Sequence, residues 1–257
     1  MIGAIAGDMI GSPYEFRPIK HADFPLFHHA AQYTDDTVLT VAVADSILTG
    51  TTYLENIKQY ANDFPNAGYG PKFGRWARSN VTEPYNSWGN GSAMRVSPIG
   101  FAFEALEEVL AEAKATADVT HNHPEGVKGA QATAAVILLA RKGSSREEIR
   151  DYVRERFNYP LLATLDEIRP AYRFDVSCQG TVPPAIQALL ESTDYEDAVR
   201  KAVSLGGDSD TLACITGGMA QALYGGVPPA IRDEALSRLP AILRDVVIEF
   251  CDEYDCY

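Results

Sequence analysis

Residues 206–224 read GGDSDTLACITGGMAQALY, an acidic cluster followed directly by a long run of small and apolar residues. The run predicts a buried helix over residues 211–224, with Asp208-Ser209-Asp210-Thr211 at its start. A second cluster, Thr34-Asp35-Asp36, stands ahead of a similar run that predicts a helix over residues 37–48. Together the clusters supply four carboxylates and two threonine hydroxyls that one metal site could share.

Helix capping is the alternative explanation for each cluster. Thr and Asp are preferred N-cap residues, and a carboxylate at a helix N-terminus is also favoured by the helix dipole. A single cap needs only one such residue, however, and the runs behind both clusters are too apolar to be surface stripes. Acids at the edge of a core repel one another by roughly 1–4 kcal/mol per pair at about 4 Å. We therefore expect a positive partner nearby, provided that the fold brings the clusters together.

The ligand chemistry narrows the identity of that partner. Carboxylate and hydroxyl oxygens without His or Cys suit Mg²⁺, Mn²⁺ or Ca²⁺ better than zinc. The second cluster does not match a calcium-binding loop, since Ala213 stands where that loop needs glycine and Met219 where it needs glutamate. The residues indicate a site that both clusters build, holding one ion or two.

Length and composition limit the remaining functions. The chain has 257 residues and 46% hydrophobic content without a linker or a repeat, so we predict one domain over residues 1–257. A net charge of -13 argues against a nucleic-acid or anionic-membrane surface. Four cysteines without a paired motif indicate reduced thiols and a cytoplasmic protein. The apolar start lacks a basic segment and so is not a signal peptide, and no run is long enough to span a membrane.

Helical periodicity dominates and no alternating strand stands out, so we predict an all-α protein. Capping-box patterns occur at Thr52 with Glu55 and at Ser144 with Glu147. The stretch 62–92, rich in Pro, Gly and aromatic residues, is predicted to be an ordered loop. The predicted helices span residues 2–11, 37–48, 53–63, 104–118, 126–141, 146–157, 195–204, 211–224 and 241–254.

Three further motifs carry candidate site residues, each with a plain structural alternative. In residues 7–16 we expect glycines to break an apolar helix and Pro13 to force a turn that leaves Glu15 among aromatics. Such surroundings raise the pKa of a glutamate and suit it to proton transfer, although Glu15 could also lie in a solvated loop. Residues 87–95 form a glycine-containing loop that could cradle phosphates with its N–H groups, or could be a plain turn. His121 could bind a substrate hydroxyl or simply be satisfied at a helix start.

Taken in order, the motifs resemble those of the ADP-ribosylglycohydrolase family over nearly the whole chain, from Gly3 to about Tyr224. Five motifs in fixed order are far more specific than any one of them. They are G-D-M-I-G-S-P-Y-E-F (7–16), Y-T-D-D-T (33–37), G-N-G-S-A-M-R (89–95), T-H-N-H-P-E-G (120–126) and G-G-D-S-D-T-L-A (206–213).

The resemblance implies a compact orthogonal helical bundle with two Mg²⁺ ions at the base of a cleft, where Mn²⁺ is an alternative. It implies Glu15 as a catalytic residue, His121 at the ribose, and the loop of Ser87, Trp88, Gly89, Asn90, Gly91 and Ser92 at the diphosphate. Ser209 is not expected to coordinate. The implied metal ligands are Thr34, Asp35, Asp36, Asp208, Asp210 and Thr211.

The implied reaction is hydrolysis at the anomeric carbon of an ADP-ribosyl group, on a protein or on a small conjugate, with release of ADP-ribose. We expect a water near the ions to attack that carbon after deprotonation by Asp35, Asp36 or Glu15. The residues before Ser87 depart from the family pattern, so adenine stacking falls to Tyr85 or Trp88. The linkage that is cleaved stays open among arginine, serine, acetyl and other acceptors, and a monomer is expected.

Two other functions are alternatives to this one. The order Asp208-x-Asp210-Thr211 superficially resembles a phosphatase motif, but that motif has a different spacing and follows a strand near the N-terminus. A family member that binds ADP-ribose without turnover, or that serves a structural role as a lens crystallin does, is the second alternative. The presence of every ligand type argues against a structural role.

Overall fold

The computed structural model describes all 257 residues, and it contains helices, turns and loops without a β-strand. This confirms the predicted all-α class. A short 3₁₀ helix, Ser12–Tyr14, follows the first α-helix, and a single isolated β-bridge pairs Gly89 with Ser177. The α-helices are α1 (Ile2–Gly11), α2 (Asp35–Thr49), α3 (Tyr53–Asp63), α4 (Pro71–Ala77), α5 (Gly91–Met94), α6 (Ser97–Ala102), α7 (Leu106–Asp118), α8 (Pro124–Arg141), α9 (Arg146–Phe157), α10 (Leu165–Ile168), α11 (Cys178–Leu190), α12 (Tyr195–Val203), α13 (Ser209–Tyr224), α14 (Pro229–Ser237) and α15 (Ala241–Tyr254).

The nine helices predicted from the sequence are all present, and α1, α3, α9 and α15 have the predicted bounds. The stretch 62–92 is not wholly a loop, because α4 lies within it. The capping box at Thr52 is confirmed, whereas the second box is formed by Ser145 with Glu148, one residue later than predicted. Ser144 instead donates its backbone N–H to the carbonyl of Leu139 in the turn that ends α8.

Helices α1 and α13 form the centre of the fold, and glycines decide how closely they pack. A Cβ atom added at Gly7 would overlap the carbonyl of Ala213, and one added at Gly3 would overlap that of Gly217. The glycines therefore do not break α1, as the sequence suggested, but let two helix backbones touch. The predicted turn at Pro13 is present as the 3₁₀ helix, which carries the chain from α1 to Glu15. This packing places Glu15 beside the start of α13.

The core around this pair is continuous through the sequence. One cluster of 64 buried apolar residues includes both Met1 and Cys256, and a second cluster of nine lies between α2, α6, α7 and α8. All four cysteines are buried and free. None of the helices is long and apolar enough to cross a membrane.

Candidate active site

Asp8, a fully buried acid in the middle of α1, accepts the hydrogen bonds that fix the start of α2. Its Oδ2 accepts hydrogen bonds from the backbone N–H of Thr34 at 2.9 Å and of Thr37 at 3.1 Å. Its Oδ1 accepts from the Thr34 hydroxyl at 2.7 Å, and the Thr37 hydroxyl also donates to Oδ2. Thr34 in turn caps α2 by accepting from the N–H of Asp36 at 3.2 Å. Asp8 thus fixes the position of the first acidic cluster.

The N-terminus of α13 is not capped in the ordinary way. Asp208 occupies the N-cap position, but its side chain makes no capping hydrogen bond. Its Oδ2 accepts instead from the Asn90 amide at 2.6 Å, across 118 residues of sequence. The Thr211 hydroxyl donates to Asp36 Oδ2 at 3.3 Å, so the two clusters meet directly. Capping therefore explains Thr34, but it does not explain Asp208.

Glu15 joins the second cluster from the other side of the site. Carboxylate oxygens of Glu15, Asp208 and Asp210 lie within 4.8 Å of one another. Asp208 and Asp210 are buried and Glu15 is half-buried, so the three acids form one wall between core and cleft. The Ser209 hydroxyl points away from this wall and donates to the carbonyls of Gly207 at 3.2 Å and Tyr14 at 3.4 Å.

The assembled acids have no basic partner. None of the eleven ion pairs in the protein involves an acid of either cluster, Glu15 or Asp8. Burial, followed by the charges of Asp8 and Asp208, raises the pKa of Asp35 to about 8. Burial, and then the charges of Asp208 and Asp8, raises the pKa of Glu15 to about 7. The pKa values of Asp36 and Asp210 are also raised, first by burial and then by neighbouring carboxylates.

The residues fit a hard divalent cation. All candidate donor atoms are carboxylate or hydroxyl oxygens, the ligands that Mg²⁺ and Mn²⁺ prefer. Asp36 Oδ1 is buried and has no hydrogen-bond partner, although burying a carboxylate oxygen without one is costly. A cation between the two clusters would satisfy this oxygen and remove the repulsion among the acids.

A cleft of about 600 Å³ opens above the acids. It is lined by most of the residues that the sequence analysis selected, whereas Trp88 and Ser92 do not line it. Trp88 is 54% exposed and packs edge-on against His123, and Ser92 is buried and donates its hydroxyl to Gly126 at 2.7 Å. The selected residues that line the cleft are Glu15, Thr34, Asp35, Asp36, Ser87, Gly89, Asn90, Gly91, His121, Asp208, Asp210 and Thr211.

Part of the glycine-containing loop is already hydrogen-bonded within the protein. The N–H of Gly89 donates to the Ser87 hydroxyl at 3.1 Å, and the N–H of Asn90 donates to the carbonyl of Val176 at 2.7 Å. These two hydrogen bonds shape the loop, and both N–H groups are therefore already used within the protein. Of the two aromatic candidates, Tyr85 lines the cleft, with its ring 6.1 Å from that of His121.

Other residues that line the cleft were not predicted from the sequence to be site residues. Lys72 and Arg95 are the only lysine and arginine side chains that line it, and Phe16 and Phe174 stack at its mouth with ring centroids 6.4 Å apart. Asp8, beneath the cleft, lies in the first motif, residues 7–16, and an acid in an otherwise apolar helix was the signal in the sequence that could have identified it. Arg95 was also inside a motif, but nothing in the sequence shows that its side chain is fully buried.

The molecule is thus an all-α protein whose cleft has a carboxylate wall with the chemistry of a hard-cation site, and has Lys72 and Arg95 elsewhere in its lining. The chain belongs to the ADP-ribosylglycohydrolase family, which it matches over residues 1–255. This confirms the resemblance seen in the five motifs.

Similar proteins agree with this assignment. The chain is 28% identical to ADP-ribosylarginine hydrolase Tri1 of Pseudomonas putida, over 89% of this chain and 71% of that protein. It is 26% identical to human ADP-ribosylhydrolase ARH3, over 88% of this chain and 84% of that protein. A solved structure described as an ADP-ribosylglycohydrolase-related protein complex shares the fold, with a TM-score of 0.73 at 22% identity, over 97% of this chain and 95% of that one.

Proposed function

We propose that the protein is a Mg²⁺-dependent hydrolase that cleaves the glycosidic bond at the anomeric carbon of an ADP-ribosyl group and releases ADP-ribose. The observation that carries the proposal is the meeting of two acidic clusters, through Thr211 and Asp36, beneath a cleft in a chain of this family. Relatives named as ADP-ribosylhydrolases support the same reaction. The substrate would be an ADP-ribosylated protein or a small ADP-ribose conjugate.

Two ions would be held by oxygens of both clusters, with Mn²⁺ able to replace Mg²⁺. When bound, such ions would act as Lewis acids toward ribose hydroxyl oxygens near the reacting carbon. The proposed ligands are Thr34, Asp35, Asp36, Asp208, Asp210 and Thr211.

Glu15 is the residue that we assign as proton acceptor for the attacking water. Asp36 is only 2% exposed and its Oδ2 already accepts from Thr211, whereas Glu15 is half-buried and reaches the cleft. Burial is the main cause that raises the pKa of Glu15, and a carboxylate with a raised pKa is a stronger proton acceptor than a fully solvated one. Asp35 also reaches the cleft, and we place it among the metal ligands.

The rest of the cleft suits the ADP-ribose half of the substrate. Lys72 is exposed and lies over the Tyr85 ring, with its ammonium nitrogen 4.8 Å from the ring centroid. A diphosphate near Lys72 would pair a negative with a positive charge. An adenine against Tyr85 would stack two aromatic rings. The acidic wall of Glu15, Asp208 and Asp210 would then face the ribose end.

The test is release of ADP-ribose from arginine-, serine- and acetyl-linked substrates, each with Mg²⁺ and with EDTA, alongside Asp210→Ala. We expect metal-dependent release from at least one linkage and its loss in the variant. ADP-ribose that binds without release from any of these linkages would favour the alternative of a family member without turnover.

A further inference from the structure

Arg95 is the largest fully buried side chain of the protein, and it has no carboxylate partner. Its Nη2 donates to the carbonyl of Thr116 at 2.6 Å and to the Thr120 hydroxyl at 3.0 Å. The same Thr120 hydroxyl lies 2.7 Å from Nδ1 of His121. A continuous chain of hydrogen bonds therefore runs from a buried guanidinium to an imidazole that lines the cleft.

The direction of each hydrogen bond follows from the donors that each group has. A guanidinium has only donors, so the Thr120 oxygen must accept from Arg95. The Thr120 hydroxyl hydrogen then has His121 Nδ1 as its acceptor in this fully buried position. With Nδ1 unprotonated, the Thr120 oxygen can accept from both Arg95 and the neighbouring Tyr85 hydroxyl while its hydrogen goes to His121. A proton on Nδ1 would instead take the second acceptor position of Thr120 and deprive the half-buried Tyr85 hydroxyl of that acceptor, which is costly inside a protein. The Nδ1 atom is therefore the acceptor, and the ring proton belongs on Nε2.

The other side of the His121 ring faces the loop. A Cβ atom added at Gly91 would lie 3.1 Å from Nε2, and one added at Gly89 would lie 3.4 Å from it. The absence of side chains at these two positions leaves Nε2 accessible from the cleft.

From this geometry we infer that Arg95 and Thr120 are positioning residues that hold His121 as a neutral imidazole with its proton on Nε2, so that it serves the ligand only as a hydrogen-bond donor. A ribose hydroxyl or phosphate oxygen can accept from it. His121 would then be unsuited to act as a general base, since its one unprotonated nitrogen is bound to Thr120. The inference rests on the proposed function only where it names ADP-ribose as the ligand.

The charged groups around the ring agree with a neutral state. Burial lowers the pKa of His121 well below its usual value, and the positive charges of Arg95 and Lys72 lower it further. Tyr85, the remaining titratable neighbour, has its pKa raised to about 12 by burial and is uncharged near neutral pH.

The first measurement is the ¹⁵N spectrum of the imidazole nitrogens in the full-length protein without ligand, assigned with His121→Gln. We expect a protonated Nε2 and an unprotonated Nδ1, unchanged between about pH 6 and about pH 8. A proton on Nδ1, or a titration of the ring in this range, would overturn the inference whether or not the protein binds ADP-ribose.

The second measurement uses variants and ADP-ribose itself. Thr120→Val removes the hydroxyl while keeping the shape, and should give a mixture of tautomers and a Kd for ADP-ribose about tenfold weaker, the equivalent of one lost hydrogen bond. Thr120→Ser keeps the hydroxyl and should restore both the tautomer and the Kd. An unchanged tautomer in Thr120→Val would contradict the role of Thr120. A wild-type protein that shows the expected tautomer but does not bind ADP-ribose would instead count against the proposed function.

Discussion

The Asn90 amide donates to Asp208 at 2.6 Å and thereby ties the loop that precedes α5 to the acidic cluster that begins α13. The same amide donates to the Thr181 hydroxyl at 3.1 Å, which fixes its orientation. The hydrogen bond orients the carboxylate of Asp208, which lies with those of Glu15 and Asp210 at the base of the cleft. Groups that orient metal ligands in this way commonly affect metal affinity or activity by about 10–100-fold.

Asn90→Ala should therefore lower kcat/KM by about 10–100-fold and weaken Mg²⁺ binding, since Asp208 loses its orienting donor. Steady-state kinetics over a series of Mg²⁺ concentrations measures both effects. Asn62→Ala is a matched control, because the Asn62 amide also donates to two protein oxygens but lies on α3 outside the cleft. Equal Mg²⁺ requirements in Asn90→Ala and the wild type would contradict the orienting role.

Glu15→Gln should lower kcat by about 10²–10⁴-fold, because an amide has the same shape but does not accept a proton from water. ADP-ribose should still bind with a Kd near that of the wild type, as measured by calorimetry. Asp175→Asn is a suitable comparison, since that acid stands between Phe174 and Val176, which line the cleft, but does not line it itself. Full activity in Glu15→Gln would remove Glu15 as proton acceptor and return the role to Asp35 or Asp36.

Asp36→Asn should reduce the stabilisation by metal more than it changes the stability of the metal-free protein. With EDTA the variant should melt no lower than the wild type, because the raised pKa of Asp36 shows that its charged form is disfavoured in the buried site. With Mg²⁺ the wild type should gain melting temperature by mass action, and the variant should gain much less. Asp45→Asn, on the same helix but bonded to Asn56, should keep the full gain. The same Mg²⁺-induced gain in Asp36→Asn would show that Asp36 is not a ligand.

The first and last residues of the helices were predicted well where the local sequence signals were strong. Helices α3 and α9 have capping boxes, and the predicted bounds of both were confirmed. Helix α11 was missed because Pro183 and Pro184 lie inside it, and proline is ordinarily read as ending a helix. The helix forms despite the prolines, because Ser177 caps its N-terminus and most of its apolar residues are buried.

The sequence allowed the residue types of the candidate site to be predicted. It did not allow the contacts between them to be predicted to the same extent. The two clusters were visible because several acids stand together ahead of apolar helices. The hydrogen bond between Asn90 and Asp208, and the burial of Arg95, depend on contacts between residues far apart in the chain. A local pattern contains no information on such contacts, so Trp88 and Tyr85 were equal candidates until the fold placed only Tyr85 in the cleft.

Gly7→Ala should destabilise the protein by roughly 1–3 kcal/mol, because the added methyl group would meet the backbone of α13 and force the two central helices apart. Chemical denaturation measures the loss. Gly70→Ala is the control, since nothing lies within 4 Å of a Cβ atom at that position. A free energy of unfolding unchanged by Gly7→Ala would mean that the close approach of α1 and α13 does not hold the site together.

The pH dependence of stability should reverse when metal is present. The pKa values of Glu15 and Asp35 are raised to about 7 and about 8, so the folded protein keeps these protons at a pH where the unfolded chain has lost them. Below about pH 4 both states are protonated and the acids have no effect on stability. Above that pH the unfolded chain loses these protons while the folded protein keeps them, so stability falls steadily until the folded carboxyls ionise at about pH 7 and 8, where the loss is complete. With EDTA, the melting temperature should therefore fall from about pH 5 to about pH 8.

With saturating Mg²⁺ the same acids are needed as anions, so the increase in melting temperature due to metal should grow over the same pH interval. Melting curves at several pH values, with EDTA and with Mg²⁺, give this difference directly, which removes the contribution of groups outside the site. The double variant Glu15→Gln with Asp35→Asn should show a much flatter difference. A metal-induced gain that is constant between about pH 5 and about pH 8 in the wild type would mean that the ion does not bind where these carboxylates meet, because a cation at that point must compete with their protons.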